Sequence, residues 1–173
     1  MMRLHPEYRL TGAILCLLIG LPVAHGQDGT NDASAPPVEL IADSAEVDDA
    51  RGISVYRGEV VLTRGRLRIE GDVMHVYADD DGRLERVTVD GAPATYRETL
   101  ADAATRHAEA PRMEYFAIGP ERLILRQGGR LWQGDNTVTG RVITHYPQAG
   151  RTVAESGDDD AERVNVTVTP ATD

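Results

Sequence analysis

The chain has 173 residues, a formal net charge of −10 and only 5% aromatic residues. This length allows one domain of modest size. A chain this acidic does not bind nucleic acid or an anionic membrane surface through its charge, and so few aromatic side chains offer little to stack against bases or sugars.

The first 26 residues have the organisation of a secretory signal peptide. Arg3 and Arg9 precede the apolar run GAILCLLIGLPVA, and Ala24-His25-Gly26 places small residues around a cleavage point. The apolar run is too short to span a bilayer comfortably. We therefore expect cleavage after Gly26, with an uncleaved N-terminal anchor as the alternative. The single cysteine, Cys16, lies in this segment, so the mature chain is expected to have no disulfide, thiol nucleophile or zinc thiolate.

The rest of the chain predicts one all-β domain over residues 38–169. Residues 27–37, QDGTNDASAPP, read as a flexible leader, and residues 170–173 as a short tail. Between them, short apolar alternations are broken by turn residues at the spacing typical of all-β proteins. Residues 158–162 predict an acidic loop, and RVNVTVT, residues 163–169, a final strand of period two.

One segment is ambiguous. TLADAATRHAEA, residues 99–110, is rich in alanine but has no apolar stripe. Alanine favours helix, whereas the missing stripe argues against a packed helix. A helix and a long loop both remain open for this stretch.

Residues 54–77 are repeated in residues 123–146 at a fixed offset of 69 without gaps. Apolar positions fall on apolar positions, and Gly71 falls on Gly140. The alternation changes parity after this glycine, because positions 67 and 69 are apolar before it and positions 74 and 76 after it. A bulge or corner at Gly71-Asp72 and at Gly140-Arg141 keeps all these side chains on one face.

The first copy, VYRGEVVLTRGRLRIEGDVMHVY, resembles the β-repeat of the OstA-like family of lipopolysaccharide transport proteins. The opening PVELIADSAEVD, the second copy's RLWQGDNTVTGRVITHY and the closing RVNVTVTP resemble family segments as well. The resemblance extends from about residue 38 to residue 168. Two residues depart from the family pattern: Gln127 replaces a glycine, and Arg141 replaces an aspartate.

The resemblance implies a twisted, open β-jelly roll of antiparallel strands whose apolar slot holds the acyl chains of lipopolysaccharide. Strand parity and family position together give the expected lipid-binding residues. An ordinary core position is the alternative for each of them. They are Val38, Leu40, Tyr56, Val60, Leu62, Leu67, Ile69, Met74, Val76, Tyr96, Met113, Tyr115, Leu123, Leu125, Leu131, Val138 and Ile143.

The resemblance also implies a periplasmic location and a set of partners. The N-terminal edge, at Val38–Ala42, is expected to meet an inner-membrane anchored transport component or a preceding copy. The C-terminal edge, at Val164–Val168, is expected to meet the outer-membrane translocon or a following copy, so that self-association runs end to end. A membrane-anchored component of the same pathway is the alternative identity.

The sequence carries no catalytic motif, and we expect no catalytic residue, bound metal or cofactor. His75, His107 and His145 lack the spacing of ligand pairs and read as ordinary strand or loop histidines. The acidic runs at 79–81 and 158–160 read as a tight turn and a solvated loop, not as calcium loops. A secreted polysaccharide-acting enzyme is a weaker alternative, because paired carboxylates with sugar-stacking aromatics are missing.

Two further expectations concern single side chains. Arg64, Arg66 and Arg68 cluster around a turn, either as a solvated edge that discourages strand aggregation or as contacts to lipid phosphates. A charge introduced by Leu62→Asp is expected to block lipid more than it harms folding, on the premise that this face is open and not packed.

Overall fold

The computed structural model describes residues 36–157 and 163–170, which form strands and turns only. The predicted signal peptide and nearly all of the leader, up to residue 35, lie outside the described residues, as do the acidic loop at 158–162 and the end of the tail at 171–173. Within the described ranges no helix is long and apolar enough to cross a membrane.

Twelve strands form one antiparallel sheet, as the period-two alternation predicts. Four of them, β3 to β6, are long, and the others are short. In chain order they are β1 Val38–Ile41, β2 Ser44–Asp48, β3 Ile53–Arg64, β4 Leu67–Ala78, β5 Leu84–Thr99, β6 Thr105–Phe116, β7 Arg122–Arg126, β8 Gly129–Gln133, β9 Asn136–Gly140, β10 Val142–Tyr146, β11 Arg151–Glu155 and β12 Asn165–Thr167.

The sheet divides at both of its ends. One half of β3 pairs with β2 and the other half with β1. At the far end β6 pairs with β7 through one half and with β8 through the other; β10 and β11 continue from β7, and β9 and β12 continue from β8. The order along the main path is β1-β3-β4-β5-β6-β7-β10-β11.

A line of corners crosses the long strands. The pairing register shifts at Gly58-Glu59 in β3, at Gly71-Asp72 in β4 and between Asp90 and Ala94 in β5. Gly58 and Glu59 have positive φ angles of 82° and 40°, and a glycine in the left-handed conformation is typical of a G1 bulge. In the second copy the chain leaves β9 at Gly140 and starts β10 at Val142 on another part of the sheet. The predicted corners at both glycines are therefore confirmed.

The corners fold the sheet into two layers. The first layer contains β2, β7, β10, β11 and the halves of β3 to β6 that adjoin them; the second contains β1, β8, β9, β12 and the other halves. Buried side chains from both layers form a single hydrophobic cluster. The layers thus face each other across one apolar interior, and the predicted all-β, open antiparallel jelly roll is confirmed.

The sequence repeat is also a structural repeat. In the first copy Leu62 pairs with Ile69 across β3 and β4. In the second copy the equivalent residues, Leu131 and Val138, pair across β8 and β9. Gln127, where the family pattern has glycine, has a φ angle of 66°. It therefore occupies a left-handed position equivalent to that of Gly58.

Residues 99–110 are neither helix nor long loop, so both alternatives for this segment are wrong. Strand β5 runs to Thr99, a short turn follows through residues 100–104, and β6 starts at Thr105. The turn closes with a hydrogen bond from the Leu100 N–H to the Ala104 carbonyl, 2.8 Å between N and O. Cross-strand pairing of β6 on both sides overrides the helix preference of its alanines.

Each end of the sheet has two strands, where the sequence predicts one. β2 and β1 pair with successive halves of β3, one in each layer, at the N-terminal end, and β11 and β12 end the two layers at the C-terminal end. Apolar side chains on these edge strands are exposed, among them Ile41 at 70% and Val166 at 60%. The predicted edge at 164–168 is shorter as a strand, spanning only Asn165–Thr167.

Candidate functional site

The inner face of the two layers is apolar along most of its length. All seventeen residues expected from parity belong to the hydrophobic cluster between the layers. Twelve of them are buried, and the other five, at the ends of the same face, are partly buried: Val38, Leu40, Tyr56, Val76 and Val138. The structure therefore brings the whole predicted set together on one surface.

Five further buried residues belong to this inner face: Val87, Val89, Ala94, Ala108 and Ala110. Val87 and Val89 alternate in β5, a signal that period-two counting alone would have found. Ala108 and Ala110 alternate in the same way in β6, but alanine is too small and too helix-prone to mark a strand by itself.

The inner face is packed in this structure. Leu62 and Met74 have no exposed surface, and Ile69 is 1% exposed. The premise that Leu62 faces an open slot is therefore wrong for this state of the molecule. A carboxyl group at position 62 would be buried without a partner and would replace well-packed leucine atoms, so Leu62→Asp should destabilise the fold severely.

The open side of the molecule lies opposite the line of corners, where the ends of the long strands of both layers lie. The inner face becomes polar near this open side in the second layer. Glu98 lies two positions after the buried Tyr96, and Arg106 two positions before the buried Ala108, so both point inward. The Tyr96 hydroxyl donates to Glu98 (3.0 Å), and the Arg106 guanidinium donates to Glu98 and to Gln133, 3.2 Å in each case. Burial, followed by the nearby Glu98 charge, raises the pKa of Tyr96 far above its usual range.

A second polar group lies at the open side of the first layer. The Tyr115 hydroxyl donates to Glu121 at 2.6 Å, and the Gln148 side-chain amide donates to the other Glu121 oxygen at 3.2 Å. Arg64 reaches the Tyr115 hydroxyl from the second layer. Burial and the bond to Glu121 raise the pKa of Tyr115, so its phenol stays protonated.

Among the histidines of the described residues, His145 is the one that is buried, with 3% of its surface exposed. It follows Ile143 on the inner face of β10 and pairs with Thr152 of β11. Its Nδ1 lies 2.9 Å from the Thr152 hydroxyl, and its Nε2 has no hydrogen-bond partner among the residues described. Burial, assisted by the Arg106 charge, lowers the pKa of His145 to about 4. The sequence placed it only as an ordinary strand or loop histidine.

Two cavities open between the layers. One, of about 680 Å³ near β1, is lined by Val38, Leu84 and Ile118 and includes Arg64. The other, of about 180 Å³ near β12, has Arg106, Gln133, His145 and Thr152 among its lining residues. The apolar interior therefore has a cavity near each of its ends, and polar groups lie at both.

The three clustered arginines have different surroundings. Arg64 lines the larger cavity, and Arg66 is exposed at the turn. Arg68 forms an ion pair with Glu70 on the outer face. Only Arg64 is thus placed to meet a molecule entering between the layers.

The acidic turn at 79–81 is held by its own hydrogen bonds. The Asp79 carboxylate accepts from the Arg83 backbone N–H and from its guanidinium, at 2.8 Å each. The Arg83 side chain, through this hydrogen bond, lowers the pKa of Asp79. In the part of the chain that the structure describes, no three His, Cys, Asp or Glu side chains are grouped to hold a metal ion.

Together these features define the class of protein. It is an open antiparallel β-jelly roll with an apolar interior, polar groups at the open side and edge strands at both ends.

Comparison with known proteins identifies the family within this class. Residues 39–151 match the family model described as LptA/(LptD N-terminal domain) LPS transport protein, and the chain belongs to this family. It is 31% identical to the lipopolysaccharide export system protein LptH of Pseudomonas aeruginosa over 165 residues, which are 90% of this chain and 94% of LptH. It is 26% identical to the lipopolysaccharide export system protein LptA of Haemophilus influenzae, covering 63% of this chain and 64% of that protein.

A solved structure agrees with the fold. The crystal structure of P. aeruginosa LptH, described as the LptA-homologous periplasmic component of the lipopolysaccharide transport device, superimposes with a TM-score of 0.71 at 29% identity. The match covers 78% of this chain and 96% of the LptH chain. The resemblance to the OstA-like family is thereby confirmed.

Proposed function

We propose that this protein is a periplasmic lipopolysaccharide-binding protein that shields acyl chains between its two layers and bridges the inner and outer membranes for lipopolysaccharide export. The observation that carries the proposal is the continuous apolar inner face, which lies between cavities near both ends of the molecule. Relatives named for lipopolysaccharide export, which cover most of the chain, support the same conclusion.

The physical need for such a face follows from the cost of exposing lipid. Each CH₂ group in water costs roughly 0.8 kcal/mol, so a chain of about 12 carbons costs on the order of 10 kcal/mol. An interior of Val, Leu, Ile, Met and Tyr side chains removes that cost without demanding one lipid shape, because hydrophobic burial is non-directional. The protein acts as a carrier and not as an enzyme in this proposal.

The lipid-binding face can be tested by photo-crosslinking with lipopolysaccharide. Labels at Leu62 and Ile69 on the inner face should capture the lipid, whereas labels at Glu59 and Arg68 should not. Equal capture by the two sets contradicts the assignment of faces.

A matched pair on β1 tests the same face where the packing is looser. Leu40 is partly buried on the inner face, and its neighbour Glu39 is exposed on the outer face. A bulky label at either position is tolerated better than one at the fully buried Leu62, so both variants should fold. The label at Leu40 should capture lipid, and the label at Glu39 should not. If neither position captures lipid while both variants are folded, the result counts against a lipid-binding interior.

The bridge is proposed to form through the edge strands. Unpaired strand edges are templates for pairing with another chain. β1 and β2 would meet the inner-membrane component or a preceding copy, and β11 and β12 a following copy or the outer-membrane translocon. Exposed valines support this role: Val166 and Val168, on and beside β12, are 60% and 71% exposed.

Deletion of residues 163–173 tests the bridge separately from lipid binding. The shortened protein should remain a folded monomer that still binds lipid along the inner face of β3 to β6 but no longer supports transport, because β12 pairs with β9 at the edge of its layer and adds no buried side chain. The double variant Val166→Arg, Val168→Arg keeps the chain length and should also lose end-to-end assembly and transport. End-to-end oligomers and intact transport in both variants would show that this edge is not the junction.

A further inference from the structure

The cavity near β12 differs from the apolar interior beside it. Leu131, Val138 and Val166 form an apolar wall, while Gln133 and His145 line the same cavity. It lies between the layers, since its lining residues come from β8, β9 and β12 on one side and from β10 and β11 on the other. Apolar and hydrogen-bonding walls thus meet in one space of about 180 Å³.

The hydrogen-bonding capacity of this cavity is partly unused. Arg106 is engaged by Glu98 and Gln133, and the Nδ1 atom of His145 by Thr152. The Nε2 atom of His145 is buried and lacks a partner among the described residues. A buried polar atom left unpaired costs free energy, and native structures normally satisfy it with a water or a ligand.

The charge balance of the site selects the kind of ligand. Arg106 is neutralised by Glu98 at 3.2 Å, and His145, with its lowered pKa of about 4, is an uncharged imidazole at neutral pH. A phosphate would find no uncompensated positive charge here, and burying an unpaired charge is expensive. An uncharged carbonyl or hydroxyl needs only one hydrogen bond, which the free Nε2 atom can supply.

We propose that this cavity is a subsite for the ester or amide linkage of an acyl chain, with the linkage hydrogen-bonded to His145 Nε2 and the hydrocarbon lying along Leu131, Val138 and Val166. The inference rests on the proposed function and adds the chemical group that the site recognises. His145 thereby marks the boundary between the hydrocarbon that is buried and the headgroup that remains in water.

Nitrogen-15 NMR of the His145 imidazole tests the subsite in the unaltered protein. Addition of lipopolysaccharide should shift the Nε2 resonance, while the imidazole of His75, on the outer face of β4 beside the buried Met74, should serve as an internal control and not shift. Binding without a change at His145 Nε2 overturns the subsite and leaves the proposed function standing. Failure to bind lipopolysaccharide overturns both.

Two probes that differ in the linkage sharpen the test. N-dodecanoyl glucosylamine carries an amide carbonyl beside the sugar, whereas dodecyl glucoside joins its chain through a glycosidic oxygen and has no carbonyl. The wild type should bind the amide probe about fivefold to tenfold more tightly, the factor that one net hydrogen bond provides. His145→Phe should abolish this preference by weakening only the amide probe, and His75→Phe, on the outer face of β4, should preserve it.

Two results of the probe experiment would overturn the subsite. Equal affinity of the wild type for the two probes overturns the subsite, and so does an equal loss for both probes in a folded His145→Phe variant. Thermal unfolding of each variant establishes that it is folded. Where His145→Phe does not fold, the NMR shift and the wild-type preference decide the question without it.

Discussion

The buried imidazole of His145 makes the stability of the protein depend on pH. Its pKa is about 4 in the folded chain, against an ordinary value of 6.5. Between these values the unfolded chain binds a proton that the folded chain does not, so the free energy of unfolding falls as the pH falls. At pH 7.5 the group is neutral in both states and contributes nothing. From these two pKa values the loss at pH 5 is about 2 kcal/mol.

Urea unfolding of the wild type and of His145→Phe, at pH 7.5 and at pH 5, measures this effect. The wild type should lose about 2 kcal/mol more than the variant over that interval, because the variant lacks the group and retains every other titration. Because each protein is compared with itself at the two pH values, the difference in packing energy between imidazole and phenyl cancels. An equal loss in both proteins refutes the reasoning, since His145 would then titrate alike in the folded and unfolded chains.

Further predictions follow from the corners, the core and the absence of a catalytic motif. Gln127→Gly should raise the free energy of unfolding by up to about 1 kcal/mol, because it relieves a left-handed φ angle; an unchanged urea midpoint would count against strain there. Gly71→Ala should lower the free energy of unfolding by about 1–3 kcal/mol, since the new Cβ would lie 2.8 Å from the Asp90 carbonyl oxygen. Gly140→Ala should lower it less, because its new Cβ would lie 3.1 Å from the nearest atom. Leu62→Asp should leave the protein largely unfolded by circular dichroism; a native spectrum would mean that the interior admits water. The purified protein should turn over no lipid or sugar substrate with or without divalent metal, and metal-dependent hydrolysis in a cell-envelope substrate screen would contradict this.

Strand parity predicted the inner face well because sheet geometry leaves few choices. Successive side chains in a strand point to opposite faces, so one parity assignment for β3, and one on each side of Gly71 for β4, places their apolar residues. The glycine after Ile69 signalled the change of parity, and the register shift at Gly71-Asp72 is its structural cause. The offset of 69 then transferred the same pairing to Leu131 and Val138.

The misses have physical causes as well. Ala108 and Ala110 are buried, but their side chains are small. Their alternation is therefore a weak signal for a strand, and the helix preference of the surrounding alanines outweighs it. Arg106 and His145 occupy inward-facing positions of their strands. Because both are polar, a search for alternating apolar residues does not find them. Their contacts depend on Glu98 and Thr152, which only the folded sheet brings near.

The sequence also could not tell a closed core from an open groove, because both require the same apolar residues on the same face. The polar contacts at the open side explain how one face can serve as both. Tyr96 bonds to Glu98 within the second layer, and His145 bonds to Thr152 within the first. Parting the layers would leave these two hydrogen bonds intact, would break the contact from Arg64 to the Tyr115 hydroxyl, and would expose mainly apolar surface. An acyl chain entering between the layers buries that surface again, and non-directional hydrophobic burial does not distinguish a lipid methylene from a leucine side chain.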